Sequence, residues 1–279
     1  MIKQDLQTET QTKITLPLPA DRLEPAAGWG GANSGMAYVY RPSTVGQLRD
    51  IFSWAAQNNR TIGLRGGGNS YGDAAMNDES ILLDFTRMNR ILEWDPENGR
   101  LTVEPGVTLQ RVWEYVIEDG WWVPVATGTA NITVGGGAAM NVHGKNAWKM
   151  GTFGEHIYEF DLMLPSGELK TCNRQQNSDL FFAAIGGFGM LGCFTRLTLH
   201  LKRVYSGLLQ VEALIKPNLS STMQWFEDHL HNSDYLVGWL DAFSKGKQLG
   251  RSELHRGLYL RPGEDPNPSH TLRLEYQRI

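Results

Sequence analysis

Four glycines fall within residues 65–72, in the stretch Arg65-Gly66-Gly67-Gly68-Asn69-Ser70-Tyr71-Gly72-Asp73. They follow a short apolar run, Thr61-Ile62-Gly63-Leu64, that reads as a strand. Such a density of glycine suits neither a helix nor a regular strand. It frees the backbone to take positive φ and to approach another group closely. Successive exposed N–H groups in such a turn form a concave anion site. The chemistry on offer is therefore the cradling of a phosphate or pyrophosphate by main chain. A tight structural turn accounts for the same residues equally well.

Two further small-residue segments bear on that choice, at 128–137 and 186–192. All three fall at strand or helix ends, and segments of this kind meeting in space suit a long cofactor with a pyrophosphate and flat rings. Close packing through glycine and alanine is the structural alternative for the second. His143 and Lys145 sit just beyond it. A lysine there could put positive charge near an anionic ring or a substrate oxygen. Equally, His143 suits a hydrogen-bonded structural role and Lys145 an exposed surface position.

Three other patterns carry less weight. Gly187-Phe188-Gly189-Met190-Leu191-Gly192 fits G-x-G-x-x-G, but a helix precedes it and a strand follows, the reverse of the dinucleotide fingerprint. Gly68-Asn69-Ser70-Tyr71-Gly72 fits G-x-S-x-G, yet the polar residues after it cannot form the helix that a nucleophile elbow needs. The seven histidines show no metal-ligand spacing.

The elements that must hold these segments can be read in order. Met36-Ala37-Tyr38-Val39-Tyr40 is a strand, and Ser43 or Thr44 caps a helix with Gln47 completing a capping box. Residues 81–85 form a strand, and 91–94 with 101–104 a hairpin across an Asn-Gly turn. Thr108 caps a helix carrying Leu109, Val112, Trp113, Val116 and Ile117 on one face, closed by Gly120. Residues 157–164 and 168–172 form a second hairpin, Asn177 or Ser178 caps a helix over 179–185, and 194–201 alternates as a strand. Beyond 204 come strands over 211–215 and 235–242, a helix marked by Met223, Phe226 and Leu230, and a strand-like run at 271–276. Residues 1–30 read as a loose arm.

With 279 residues, 41% apolar and 20% charged, the chain can bury a substantial core. A net charge of −4 and the absence of basic runs argue against nucleic-acid binding. Cys172 and Cys193 are read as two free buried thiols. The polar N-terminus has no signal core, and the longest apolar stretch, 181–194, holds four glycines and is too short to span a bilayer.

Taken together, the segments resemble the vanillyl-alcohol oxidase / p-cresol methylhydroxylase (PCMH-type) superfamily of FAD-linked oxidases. The resemblance rests on Arg65-Gly-Gly-Gly-Asn-Ser-Tyr-Gly-Asp73, Gly128-Thr-Ala-Asn-Ile-Thr-Val-Gly-Gly136, Val142-His-Gly-Lys-Asn146 and Gly151-Thr-Phe-Gly154. It continues through Asp179-Leu-Phe-Phe-Ala183, Gly186 to Gly192, Gly238-Trp-Leu-Asp-Ala-Phe-Ser244 and Leu249-Gly-Arg251. Segments 143–146 and 238–244 are similar to its subfamily of decaprenylphosphoryl-ribose 2′-oxidases.

The resemblance implies an α+β fold: a PCMH-type FAD-binding domain of two α/β subdomains over 31–204, then a partial, truncated substrate (cap) domain with an antiparallel sheet over 205–279. It implies that Arg65, Gly66, Gly67, Gly68, Asn69, Ser70, Tyr71, Gly72 and Asp73 wrap the FAD pyrophosphate. Gly128, Thr133, Val134, Gly135 and Gly136 would follow the ribityl chain and flavin. Met140, Asn141, Val142 and His143 would line the isoalloxazine, and Phe194 the adenine end. Lys145 would face the substrate as the catalytic residue, and Trp239 would form part of the substrate wall. Covalent relatives carry a histidine where Asn69 stands, so the implied FAD is non-covalent.

The implied reaction is oxidation of a secondary CH–OH group on a sugar or polyol, a polyprenyl-phosphoryl pentose included, with a partner reductase compatible with it. The implied location is cytoplasmic, with peripheral membrane association left open. An aldonolactone oxidase and a sterol Δ24-reductase-like enzyme are the alternatives within flavoenzymes. Outside enzymes of this kind stand a non-catalytic FAD-binding fragment and a serine hydrolase using Ser70.

Overall fold

The computed structural model describes residues 18–277. The first sheet has strands β1 (Leu23–Ala27), β2 (Ser34–Tyr40), β3 (Ile62–Arg65) and β4 (Ile81–Asp84), in the order β1-β2-β4-β3. Helix α1 (Val45–Gln57) follows β2 and buries Leu48, Phe52 and Ala55. Its start obeys the capping logic with a one-residue offset. Thr44 Oγ1 accepts from the Gln47 N–H at 3.2 Å, while the Gln47 side chain returns to the Ser43 N–H at 2.8 Å.

Strands β2, β4 and β3 are parallel. Parallel neighbours need a long crossover, normally helical. Between β3 and β4 the crossover is instead the glycine loop and the residues after it. That places the loop at the carboxyl end of β3, where open α/β sheets present their ligand sites.

Part of the expected loose arm is structured. Residues 1–17 lie outside the described residues, but β1 pairs antiparallel with β2 along its whole length, from Leu23 opposite Tyr38 to Ala27 opposite Ser34. Pro25 hides this strand from a sequence reading, since proline is tolerated in sheets chiefly at edges. The edge is where β1 lies.

The second sheet is antiparallel. It is built from β5 (Ile91–Asp95), β6 (Arg100–Val103), β8 (Ile157–Met163), β9 (Leu169–Asn173) and β10 (Cys193–His200), in the order β5-β6-β10-β8-β9. A two-stranded ribbon, β7 (Trp121–Trp122) with β11 (Lys202–Arg203), stands beside it. Asp95 turns the first hairpin by accepting from the Glu97 and Asn98 N–H groups, and Gly99 supplies φ +65°.

Helix α2 (Leu109–Val116) is capped by Thr108, whose hydroxyl accepts from the Arg111 N–H, and Gly120 ends the turn after it at φ +77°. Helix α3 (Val134–Ala139) lies within the second small-residue segment, and α4 (Ala147–Met150) beyond it. Helix α5 (Ser178–Ala184) begins without the expected side-chain cap. Asn177 sits in the left-handed region at φ 49°, and its amide is spent on the Thr171 carbonyl at 2.7 Å. The core centres on Phe160, stacked on Phe181 at 5.2 Å and edge-on to Phe194 at 4.8 Å.

A third sheet, antiparallel, joins β12 (Leu209–Lys216), β14 (Ser252–Tyr259) and β13 (Tyr235–Leu240), in the order β12-β14-β13. Helix α6 (Leu219–His229) covers one face, its Trp225 packing on Leu236 of β13 and Leu254 of β14. The α4 region bolts this unit to the rest. Trp148 Nε1 donates to the Leu230 carbonyl at 2.9 Å, and Lys149 Nζ to Asp234 at 2.7 Å and to the Ser233 carbonyl at 3.2 Å.

The strand-like run at 271–276 is not a strand. Helix α7 (Pro268–Thr271) and a single 3-10 turn (Leu274–Tyr276) occupy it. Pro268 at the first helical position favours that start. Buried Asp265 then accepts from the Ser206 and Thr271 hydroxyls, and Gln277 donates to the Thr271 and Gly207 carbonyls, folding the segment back on residues 206–207.

Phe160 is fully buried and packs the second sheet against Phe181 of α5. Phe160→Ala is expected to destabilise the protein by about 3–5 kcal/mol. The check is the midpoint of urea unfolding, which should fall with the slope unchanged.

Candidate functional site

The three glycine-rich segments converge on one cavity of about 820 Å³. That lies toward the upper end of the roughly 300–1,000 Å³ typical of ligand clefts. Residues 65–73 form one side, residues 127–143 a second, and Phe188, Gly189, Gly192, Cys193 and Phe194 a third.

The glycine loop lies directly on the second segment, and this contact explains its composition. A Cβ at Gly66 would overlap Thr133 Oγ1, and one at Gly67 would sit 2.7 Å from the Asn131 carbonyl oxygen. Gly68 holds φ +69°. Arg65 braces the loop, since Nη1 donates to the Ala27 and Ala75 carbonyls, both at 3.1 Å.

The hydrogen-bond accounting locates the anion site. A helix start leaves N–H groups without intrahelical partners, but those of α3 are taken. Val134 donates to the Val107 carbonyl at 2.7 Å, Gly135 to the Pro105 carbonyl at 2.8 Å, and Gly136 to Thr133 Oγ1 at 3.2 Å. By contrast, none of the backbone N–H groups of residues 66–73 donates a hydrogen bond within the described residues. The free donors belong to the loop, and such a run suits a pyrophosphate. Ile132, Ala139, Met140, Phe188 and Phe194 give the cavity apolar wall for flat rings. The residues present therefore fit a pyrophosphate-bearing dinucleotide with an extended ring system.

Of the residues singled out by sequence, Arg65, Gly66, Gly67, Gly68, Asn69, Ser70, Tyr71, Gly72, Asp73, Gly128, Thr133, Gly135, Gly136, Met140, Asn141, Val142, His143 and Phe194 line the cavity. Val134, Lys145 and Trp239 do not. The Val134 side chain is fully buried in the core beneath α3. Lys145 is exposed; its N–H donates to the Ala126 carbonyl, and its carbonyl accepts from the Leu236 N–H of β13 at 3.5 Å. Trp239 is 69% exposed on β13. Ser70 shares no side-chain hydrogen bond with a histidine or carboxylate among the described residues, so the elbow reading has no general base. Its carbonyl accepts from the Trp29 N–H at 2.8 Å.

Several wall residues escape a sequence reading. Trp29 lies in the stretch taken for an arm. The turn it belongs to is pressed on the loop so closely that a Cβ at Gly28 would sit 2.7 Å from the Gly72 carbonyl oxygen. Phe188 takes φ 55° in the reversed glycine motif, and its N–H donates to the Ala139 carbonyl at 2.9 Å, fixing the third segment to α3. Cys193 is a free thiol that burial pushes up to about 12, so it presents a neutral group to the cavity. Cys172 is also free and buried.

Residues 36–173 match the FAD binding domain family. The chain belongs to this family of FAD-linked oxidoreductases, with its PCMH-type domain. Decaprenylphosphoryl-beta-D-ribose oxidase of Mycolicibacterium smegmatis is 32% identical over 233 residues, covering 82% of this chain and 51% of that protein. L-Gulonolactone oxidase of Mus musculus is 28% identical over 70% of this chain and 43% of that protein. A putative D-arabinono-1,4-lactone oxidase of Neurospora crassa is 23% identical over 85% of this chain and 42% of that protein. The chain spans about half the length of these curated relatives or less. Among the described residues no helix is long and apolar enough to cross a membrane.

The contact between Gly66 and Thr133 gives a double-mutant test. Gly66→Ala is expected to weaken FAD binding about tenfold to a hundredfold, the equivalent of overpacking by ~1–3 kcal/mol. Adding Thr133→Ala removes the opposing hydroxyl and should recover part of that loss. The combined effect, read by FAD fluorescence titration, is therefore smaller than the sum of the two.

Proposed function

We propose that the chain binds FAD non-covalently and serves the oxidation of a secondary CH–OH group on a sugar- or polyol-type substrate, a polyprenyl-phosphoryl pentose being one such substrate. The observation that carries this reading is the run of unspent N–H groups at 66–73, set beside an apolar-walled cavity within a domain that matches the FAD-binding family. Similarity to decaprenylphosphoryl-beta-D-ribose oxidase supports the sugar class.

Bound FAD supplies the acceptor for the hydride that leaves the CH–OH carbon. The protein's part is to bind, orient and tune. The loop N–H groups spread the pyrophosphate charge over several fixed dipoles, and Gly128, Thr133, Gly135 and Gly136 let main chain lie close along the cofactor. Val134 contributes by burying its side chain and so fixing α3. Met140, Asn141, Val142 and His143 form wall at the ring end, and Phe194 wall at the adenine end. Asn69 has no nucleophile with which to bond the flavin, and its amide instead donates to the Asn131 carbonyl at 3.4 Å.

Lys145 follows cavity-lining His143 by two residues and is tied through its carbonyl to β13. In this reading its ammonium stabilises negative charge on the substrate side, and Trp239 forms part of the substrate wall. A partner reductase and peripheral membrane association are compatible with the proposal. The second reading, an aldonolactone oxidase, is favoured by the similarity to L-gulonolactone oxidase.

The purified protein is expected to show flavin absorption bands, and acid precipitation should release the whole yellow chromophore into the supernatant. Colour retained in the pellet would mean a covalent link and would contradict the role given to Asn69. For Lys145→Ala, FAD binding should persist while anaerobic bleaching of the bands by candidate sugars slows by about a hundredfold or more, the scale of losing one stabilising charge or acid–base group. Bleaching by aldonolactones but not by sugars selects the second reading.

A further inference from the structure

The most exposed large apolar side chain described in the protein is Phe243, at 92%. It projects from the loop joining β13 to β14, at the end of the third sheet away from the ribbon β7–β11. Register sets Lys216, Leu240 and Ser252 side by side at that end, so the loop, the β13 terminus and the β12 terminus share one tip. Leu240 and Leu249 are 56% and 55% exposed there.

The exposure of Phe243 is built into the loop. Asp241 Oδ1 accepts from the Phe243 N–H at 2.9 Å and the Ser244 N–H at 3.2 Å, while Oδ2 accepts from the Ser244 hydroxyl at 2.6 Å and Arg251 Nε at 2.8 Å. On the far side the Leu219 N–H, at the start of α6, donates to the Leu249 carbonyl at 2.8 Å. An aromatic ring is thus held out in water on a rigid turn, against the hydrophobic effect.

The charges around it have one dominant sign. Lys245 and Lys247 are exposed beside Phe243 and, among the described residues, form no ion pair. Lys216 adds a third ammonium. Of the carboxylates at this end, Asp241 is paired with Arg251, and Glu253 shares a hydrogen bond with the His255 ring at 3.0 Å. The acidic residues of α6, Glu227 and Asp228, sit at its other end. The tip is locally cationic on a chain whose net charge is −4.

We propose that this tip docks the protein on a bilayer surface carrying anionic phospholipid. Phe243 enters the boundary between headgroups and acyl chains, with Leu240 and Leu249 at its sides, and Lys245 and Lys247 meet lipid phosphates. Apolar and aromatic side chains flanked by lysine are what an interfacial contact needs. The charge complementarity selects an anionic surface over a neutral one.

The test uses the whole chain with sucrose-loaded vesicles of phosphatidylcholine, alone or mixed with phosphatidylglycerol. Wild type should co-sediment with the mixed vesicles, and added salt should weaken this. Lys245→Ala/Lys247→Ala should lower the partition coefficient about thirtyfold, two lysines at about 1 kcal/mol each. Phe243→Ala should lower it about tenfold and to the same extent at high salt. Circular dichroism confirms that these surface variants fold. Sedimentation with neither vesicle, equal sedimentation with both, or variants that sediment like wild type would each overturn the proposal.

Discussion

A glycine loop lies so close to residues 131–133 that side chains are excluded from the contact, and the candidate site depends on that approach. It has two consequences. The loop cannot fold into a helix or join the sheet ladder, so its N–H groups remain unspent. It also holds those groups against the second wall of the cavity, where a ligand's negative charge would have to lie. A site that offers several of them together is poised to accept an anion.

The surrounding structure fixes the loop and the segments that meet it. Arg65 ties it to the Ala27 and Ala75 carbonyls, which brings the N-terminal edge strand into the site's foundations. Thr133 does double duty, as the cap of α3 and as the surface on which Gly66 rests. The third segment is fixed through the Phe188 N–H to α3. Helix α3 is therefore a scaffold rather than an anion site, because its own first N–H groups are already bonded to Val107, Pro105 and Thr133. The third sheet is attached through the short span from Lys145 to Lys149 that leaves the cavity wall. A charge-assisted bond from Lys149 to Asp234 and the indole bond from Trp148 to the Leu230 carbonyl set its position there.

Much of this was legible in the sequence, for identifiable reasons. Thr44 and Thr108 announce their helices because capping is a local interaction, and Asp95 with Gly99 announces a hairpin in the same way. The glycine segments were legible as main-chain surfaces, and their meeting in one cavity matched the expectation. What escaped depends on tertiary context. Strand β1 contains Pro25 and has no alternation strong enough to show that it borders a sheet. Asn177 has a cap's identity, yet its amide bonds to Thr171 in a neighbouring strand. The run at 271–276 alternates like a strand but is drawn into a turn by Asp265, Ser206 and Gln277, which are distant in sequence or invisible as partners. Trp29 and Phe188 join the cavity wall through close backbone approaches that no residue type signals. Val134 lies in the right segment and Lys145 just beyond it, yet both are off the cavity wall, since position along the segment does not fix side-chain direction.

We propose that the loop's main chain, and not the start of α3, receives the pyrophosphate. Amide hydrogen exchange resolved by residue, with and without saturating FAD, tests it most directly. Unspent N–H groups should exchange fast in the free protein and slow strongly on binding. New protection is expected within residues 66–73, with little change at Val134, Gly135 and Gly136, whose N–H groups are already bonded. Unchanged fast exchange across 66–73 at saturating FAD would contradict it.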